Sequence, residues 1–446
     1  MSNYVLINTK IKSFKKKIFV PEDKSLSIRC ALMASQAIGK SRLKLLDSED
    51  IKSTLNCLRR LGIKIIKKND YYHIEGRGIN GFDFKKNLVL NCGNSGTLLR
   101  LLPSLLIRSP YKIKLIGDKS LSKRNFRVAE PLKHFGAQFS NNKTPPIYMK
   151  GTYFVRPITW REDKASAQIK TCCLIAGALH APGITKVTAK PSRKTTENLF
   201  KHVLKIPTKI IKKKNYDQIE VRGISQFRSF NYNVPGDMSS AAYPLVLTLL
   251  SKKSELIIKN VNVCPTRIGI ITILRKMGAT QKYIKFKNLR VVKGEKIADI
   301  FIKSMNNLKA IKLPKSFDNS SAIDEFVLIF ICAAFSSGIS TFRNLEELNK
   351  KESKRLDWGY KILKMIGIKT KKIGNHGIKI WGNPNLELKK NYIIKNYLKD
   401  HRIAMCTAVL GLARGGNWKI FDALDSIKTS FPSFIKMIKE LGGKIN

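Results

Sequence analysis

The chain has 446 residues, 43% hydrophobic and 9% aromatic, which is too much apolar material for a disordered polymer and enough for roughly two or three domains. Its 84 Lys and Arg against 31 Asp and Glu give a formal charge of +53. The lysines are spread between apolar positions along the whole length, so the charge favours anions in general and marks no particular nucleic-acid-binding element. No apolar run reaches the ~18 residues of a membrane span, and the opening residues lack the basic-then-apolar pattern of a secretory signal. Eight cysteines and six histidines show neither Cys-x-x-Cys pairs nor metal-ligand spacing. The expectation is a cytoplasmic protein without a membrane partner, a metal or any other cofactor.

In chain order, the first strong signal is Asp23-Lys24-Ser25-Leu26-Ser27-Ile28-Arg29, which reads as a polar helix start. The apolar stretch Ala31 to Gly39 continues it and leads to a strand near Arg42. An amphipathic helix then closes at Gly62 and passes into a β-type run. The same two phrases recur. Gly93-Asn94-Ser95-Gly96-Thr97-Leu98-Leu99-Arg100 opens an apolar helix, the loop from Gly117 ends on Arg124, and Pro131 to Gly136 repeats the glycine-closed helix. Ser166-Ala167-Gln168 opens a third apolar helix, followed by a copy of the closing phrase with Pro207 where the others have Gly. Gly236-Asp237-Met238-Ser239-Ser240 opens a fourth, closed at Gly278. Phe326 to Gly338 is followed by Lys351-Glu352-Ser353-Lys354-Arg355 and by Gly367, and Asp400-His401-Arg402 heads the last apolar helix before Gly442. The markers 62, 136, 207, 278, 367 and 442 recur roughly every 70 to 90 residues, which predicts six similar α/β units that bury their faces against neighbours.

The polar heads carry the chemical signal. Unpaired N–H groups and the dipole at a helix start favour anions, and Lys24, Arg29, Arg124, Arg355 and Arg402 add charge to such starts. Each head alone reads equally well as an ordinary cap. Together, if the heads converge on an interlobe cleft, they predict a seat for two phosphate- or carboxylate-bearing substrates. Asp324 and Glu352 stand out as carboxylates among these cations, suited to proton transfer.

The segments Asp23 to Arg29, Gly93 to Arg100, Ser166 to Gln168, Val234 to Ser240, Ile323 to Glu325, Leu345 to Leu348, Lys351 to Arg355, Asp400 to Met405 and Ser430 to Pro432 resemble, in order, the signatures of 5-enolpyruvylshikimate-3-phosphate synthases. The resemblance implies an α/β, two-lobed inverted β-prism of six βαβαββ repeats, three per lobe. It implies one lobe from 1–22 with 237–446 and another from 23–236, and a monomer that uses no nucleic acid. It implies that Lys24, Ser25, Arg29, Ser166, Gln168, Arg193, Asp324 and Lys351 hold shikimate 3-phosphate. Phosphoenolpyruvate would meet Lys24, Asn94, Gly96, Arg124, Gln168, Lys351, Arg355 and Arg402. Asp324, Glu352 and Lys24 are the implied catalytic groups.

Four positions depart from the family pattern: Glu22 in place of Gly, Asn125 in place of Pro, Lys354 in place of Asp, and Thr429 in place of Lys. Gly96 leaves room beside the phosphoenolpyruvate site, so partial glyphosate tolerance at most is expected. Two alternatives stand beside this reading. A UDP-N-acetylglucosamine enolpyruvyl transferase would have Lys-Asn where this chain has Lys24-Ser25, and a basic nucleic-acid-binding protein would rest on the +53 charge.

Overall fold

A computed structural model describes residues 4–163 and 166–445. Six largely buried helices organise it: Lys24–Gln36, Gly96–Leu105, Ala167–His180, Met238–Leu250, Phe326–Ala334 and His401–Arg414. Side chains that are apolar nearly all round leave a helix no face for solvent, and every residue of Met238–Leu250 is buried. Each of these helices leads into the strand that heads the antiparallel part of its sheet.

Three sheets are built from continuous chain. Val89–Asn91 pairs parallel with Ile113–Ile116, which pairs antiparallel with Ile147–Lys150, and this in turn with Gln138–Phe139. The same order relates Thr159–Glu162, Ile184–Ala189, Asp217–Arg222 and Thr208–Lys212. It recurs in Leu308–Lys309, Ser336–Phe342, Gly377–Gly382 and Thr370–Ile373. Each is one βαβαββ unit.

The other three sheets take a strand from a distant part of the chain. Lys15–Phe19 immediately precedes the helix Lys24–Gln36 but pairs parallel with Glu255–Asn262. Asn231–Asn233 precedes Met238–Leu250 but pairs parallel with Ile38–Lys44. Tyr4–Ile7 completes the last repeat by pairing antiparallel with Gly415–Phe421, whose other neighbour is Leu388–Ile394.

The contacts divide the chain into two compact units, one of Met1–Pro21, Pro235–Val291 and Lys296–Asn446, the other of Glu22–Val234 with Val292–Glu295. Each unit has its own hydrophobic core and three of the six sheets. The expected α/β architecture of six repeats, three per unit, is therefore the one observed. Among the described residues no helix is long and apolar enough to cross a membrane.

The repeat markers have the backbone that the sequence predicts, with one correction. Gly62, Gly136, Gly278, Gly367 and Gly442 all have positive φ, between 81° and 110°, which closes a helix at no steric cost. In the third repeat Pro207 does not play this part. The helix there is a π-helical turn, Leu199–Leu204, and Lys205 two residues earlier takes the left-handed conformation at φ 57°. Proline cannot adopt positive φ, so the reversal moved to a neighbouring residue.

A second set of glycines is fixed by close approach. A Cβ on Gly76 would lie 2.2 Å from the Ala37 carbonyl oxygen, and one on Gly382 would lie 2.1 Å from that of Ser336. At both places the last strand of a repeat crosses the C-terminal end of the buried helix. Just beyond the glycine, the N–H groups of Gly78 and Asn383 donate to Ala37 and Ala334.

Candidate active site

Five of the six helix heads are used as caps. Asp23 accepts from Leu26 N–H, Ser95 from Leu98, Ser166 from Ile169, Asp237 from Ser239 and Asp400 from Arg402. Each satisfies an N–H that the helix leaves open. Phe326–Ala334 is the exception, with no side-chain cap from Glu325. The adjacent carboxylate of Asp324 is given to cations instead.

In the unit that contains residues 296–445, those cations come from two segments, Lys351 to Arg355 and the start of His401–Arg414. Asp324 Oδ1 accepts from Arg355 Nη1 at 3.1 Å and lies 3.5 Å from Lys351 Nζ. Asp324 Oδ2 is 3.7 Å from Arg402 Nη2, and Arg402 Nη1 donates to the Asp324 carbonyl at 3.2 Å. Arg355 also donates to Glu352 and, through Nε, to Asp400 Oδ2 at 2.8 Å. Burial opposes the charge on Arg355, but Asp400, Glu352 and Asp324 outweigh it and raise its pKa above the usual arginine value. Arg402 is raised in the same way, burial being overcome chiefly by Asp324. Asp324, Lys351, Glu352, Arg355 and Arg402 thus meet in one cluster, as the sequence motifs suggest.

In the unit that contains residues 22–234, the starts of three buried helices are tied together by side chains. Arg29 donates to Ser25 O and to Thr196 Oγ1, both at 2.9 Å, and to Thr171 Oγ1 at 3.0 Å. Arg100 donates to Gln168 Oε1 at 3.0 Å and to the Gly96 carbonyl at 3.1 Å, while Gln168 donates to Thr97 Oγ1 at 3.1 Å. Arg124 binds Asn94 Oδ1 at 2.7 Å and Ser120 Oγ at 2.9 Å, and Asn94 donates to Asp118 at 2.6 Å. Lys24 pairs with Asp50 at 3.0 Å. The helix Ala167–His180 links the sets, because it supplies Gln168 to Arg100 and Thr171 to Arg29.

Three of the four unusual positions also have partners. The Asn125 carbonyl accepts from Arg100 at 2.9 Å, so the contact uses backbone and is indifferent to the side chain. Thr429 Oγ1 donates to Ser426 O at 2.7 Å and lies 3.3 Å from His401 Nδ1. Lys354 is exposed and provides no cap. Burial raises the pKa of Glu22 although Lys44 is 3.7 Å away.

Thr97 and Arg100 show in their motif but not as partners of Gln168, while several other residues of these networks escape a sequence reading: Asp50 beneath Lys24, Thr171 and Thr196 around Arg29, and the ion pair Lys170–Glu197. Lys170 alone left a trace, as a lone cation within the apolar run of its helix.

Six repeats built around buried helices, three of which carry Arg29, Arg100 and Arg402 near their starts, define an enolpyruvyl-transferase fold. The crystal structure of the enolpyruvyl transferase NikO from Streptomyces tendae shares it at a TM-score of 0.70 with only 14% identity, over 100% of this chain and 98% of that one. The structure of EPSP synthase from Acinetobacter baumannii matches at 0.84 with 33% identity, covering 100% and 99%. The family model for EPSP synthase (3-phosphoshikimate 1-carboxyvinyltransferase) matches residues 8–438. The 3-phosphoshikimate 1-carboxyvinyltransferases of Zymomonas mobilis and Ruthia magnifica are each 38% identical, covering 98% and 100% of this chain and 96% and 99% of their own lengths. The chain belongs to the EPSP synthase family.

Proposed function

We infer that the protein transfers the enolpyruvyl group of phosphoenolpyruvate to the 5-hydroxyl of shikimate 3-phosphate and releases phosphate, a step towards aromatic amino acids. The substrate hydroxyl attacks C2 of phosphoenolpyruvate while C3 gains a proton. The tetrahedral adduct then loses that proton and inorganic phosphate, which restores the C2–C3 double bond. Lys24, Ser25, Arg29, Ser166, Gln168, Arg193, Asp324 and Lys351 are assigned to shikimate 3-phosphate. Lys24, Asn94, Gly96, Arg124, Gln168, Lys351, Arg355 and Arg402 are assigned to phosphoenolpyruvate. Asp324 is the base at the hydroxyl, and Glu352 with Lys24 moves the proton at C3. Fixed cations stabilise the charge that develops on carboxylate and departing phosphate.

The observation that carries this assignment is Asp324 itself, which directly precedes Glu325, the N-cap residue that gives Phe326–Ala334 no side-chain cap, and which is met by Lys351, Arg355 and Arg402. Phosphate release from the purified protein tests it. Release is expected to require both substrates and to fall by about 1,000-fold or more in Asp324→Ala. Release by the variant at the wild-type rate removes Asp324 from the chemistry, and no release by folded wild type removes the activity. The enzyme is further proposed to act as a cytoplasmic monomer, which light scattering checks for the oligomeric state.

A further inference from the structure

Two adjacent residues of the helix Ala167–His180 are mated to two adjacent residues of the short helix Thr195–Asn198. Lys170 Nζ lies 2.6 Å from Glu197 Oε1, with side chains only 2% and 1% exposed. Thr171 Oγ1 lies 2.8 Å from Thr196 Oγ1, and both are buried. Each mated pair also reaches one assigned substrate group. Lys170 Nζ donates to the backbone carbonyl of Arg193 at 2.9 Å. The two threonine hydroxyls accept from Nη2 and Nε of Arg29.

We infer that the paired contacts Lys170–Glu197 and Thr171–Thr196 are positioning devices that set Arg193 and Arg29 for shikimate 3-phosphate, an inference that rests on the reading above. A buried ion pair is a poor way to stabilise a fold, since apolar residues of the same volume do as well or better. What such a pair supplies is a fixed geometry. Here it pins the carbonyl of Arg193 to the helix that begins with Ser166 and Gln168. Two elements separated in sequence are thereby locked in register, and the lock is at the level of two consecutive residues on each. Neither Lys170 nor Glu197 is expected to touch the substrate, so their effect is on binding and not on the chemical step.

The experiment compares Lys170→Met/Glu197→Leu, which replaces the pair by apolar residues, with Thr196→Val, Ser166→Ala and Arg193→Ala. Shikimate 3-phosphate binding is measured calorimetrically without phosphoenolpyruvate, beside KM for each substrate, kcat and the urea midpoint. The double variant and Thr196→Val are expected to weaken shikimate 3-phosphate binding and raise its KM about 10-fold or more. KM for phosphoenolpyruvate is expected to stay within about twofold, with the double variant's urea midpoint equal to or above that of wild type. Unchanged shikimate 3-phosphate affinity in the double variant overturns the inference, while Ser166→Ala and Arg193→Ala still weakening it leaves the assignment of the site intact. A parallel fall in stability, kcat and both affinities also overturns it, since that is what a purely structural pair produces. If Ser166→Ala and Arg193→Ala leave binding unchanged, the assignment itself fails and the inference falls with it.

Discussion

Asp400 Oδ2 lies 2.8 Å from Arg355 Nε, and the two side chains are 0% and 1% exposed. The same carboxylate accepts from Arg355 Nη2 at 3.2 Å, from Ser353 Oγ at 2.8 Å and from the backbone N–H of Arg402 at 3.0 Å. One buried group therefore orients the first arginine by a two-point contact and fixes the helix start that carries the second. Removing one partner of such a pair leaves an uncompensated buried charge, which costs about 3–5 kcal/mol. Asp400→Ala is expected to lose stability on this scale in urea unfolding. Asp400→Asn keeps the shape and the cap, and is expected to stay folded while its KM for phosphoenolpyruvate rises about 10-fold or more. A variant Asp400→Ala as stable as wild type within about 1 kcal/mol would show that the pair contributes nothing to the fold.

Gly96 is the first residue of its helix, and a Cβ there would lie 2.8 Å from Arg100 Nη1 and 3.4 Å from Arg124 Nη1. Both contacts are with the ends of flexible side chains, so the backbone has no reason to move. Alanine is also the better helix former. Gly96→Ala is therefore expected to remain within about 1 kcal/mol of wild-type stability. It displaces two guanidinium groups beside Asn94 and Gln168, so the KM for phosphoenolpyruvate is expected to rise by about 10-fold. Steady-state kinetics with each substrate varied in turn decide it. An unchanged KM for phosphoenolpyruvate would count against placing that substrate next to Gly96.

The two kinds of glycine predict different costs. Gly76→Ala forces a methyl group to within 2.2 Å of one helix carbonyl oxygen and 2.3 Å of another, and neither is free to swing away. A loss of about 3 kcal/mol is expected from this overpacking. Gly442 has φ 90° with nothing within 4 Å of a Cβ, so alanine there meets only the backbone penalty of about 1 kcal/mol. Urea midpoints of the two variants should differ in this order. The reverse order would mean that the strand does not cross the helix end as closely as described.

What was legible in the sequence is what lies contiguously in the chain. The apolar helices, their polar heads and the glycine closures are each local, and their residues stand within a few positions of one another. The exchange of strands was not legible. Lys15–Phe19 is three lysines followed by Ile and Phe, and Asn231–Asn233 is Asn-Tyr-Asn. Neither has an apolar alternation that names a partner, and their partners lie more than 180 residues away in the chain. The candidate site divides in the same way. Arg355 with Glu352, and Arg29 with Ser25, stand three and four residues apart and are visible as motifs. The partners that hold them, Asp400 for Arg355 and Thr171 and Thr196 for Arg29, come from other elements. Asp400 shows in the sequence only as part of its own motif. The heads were also ambiguous from residue type alone, since Ser and Asp cap helices and bind ligands with the same atoms. Only the hydrogen bonds separate Asp324 from the five residues that cap.

His180 gives the fold a pH dependence whose sign follows from its surroundings. Its ring is buried at the end of the helix Ala167–His180, with Nδ1 3.2 Å from Asn80 Oδ1 and no hydrogen-bond partner at Nε2. Burial first, and the nearby Arg108 charge second, push its pKa down from 6.5 to about 3. The unfolded chain binds a proton near pH 6.5 and the folded chain does not, so folding is favoured above that pH and progressively opposed as the pH falls towards 3. The stability curve of wild type should therefore slope by up to about 1.4 kcal/mol per pH unit below 6 more steeply than that of His180→Gln. The glutamine keeps an amide donor for Asn80 but does not titrate. Urea unfolding of both proteins at intervals between pH 4.5 and 7.5 measures the difference. Parallel curves over that range would show that His180 is protonated as easily in the folded protein as in the unfolded chain.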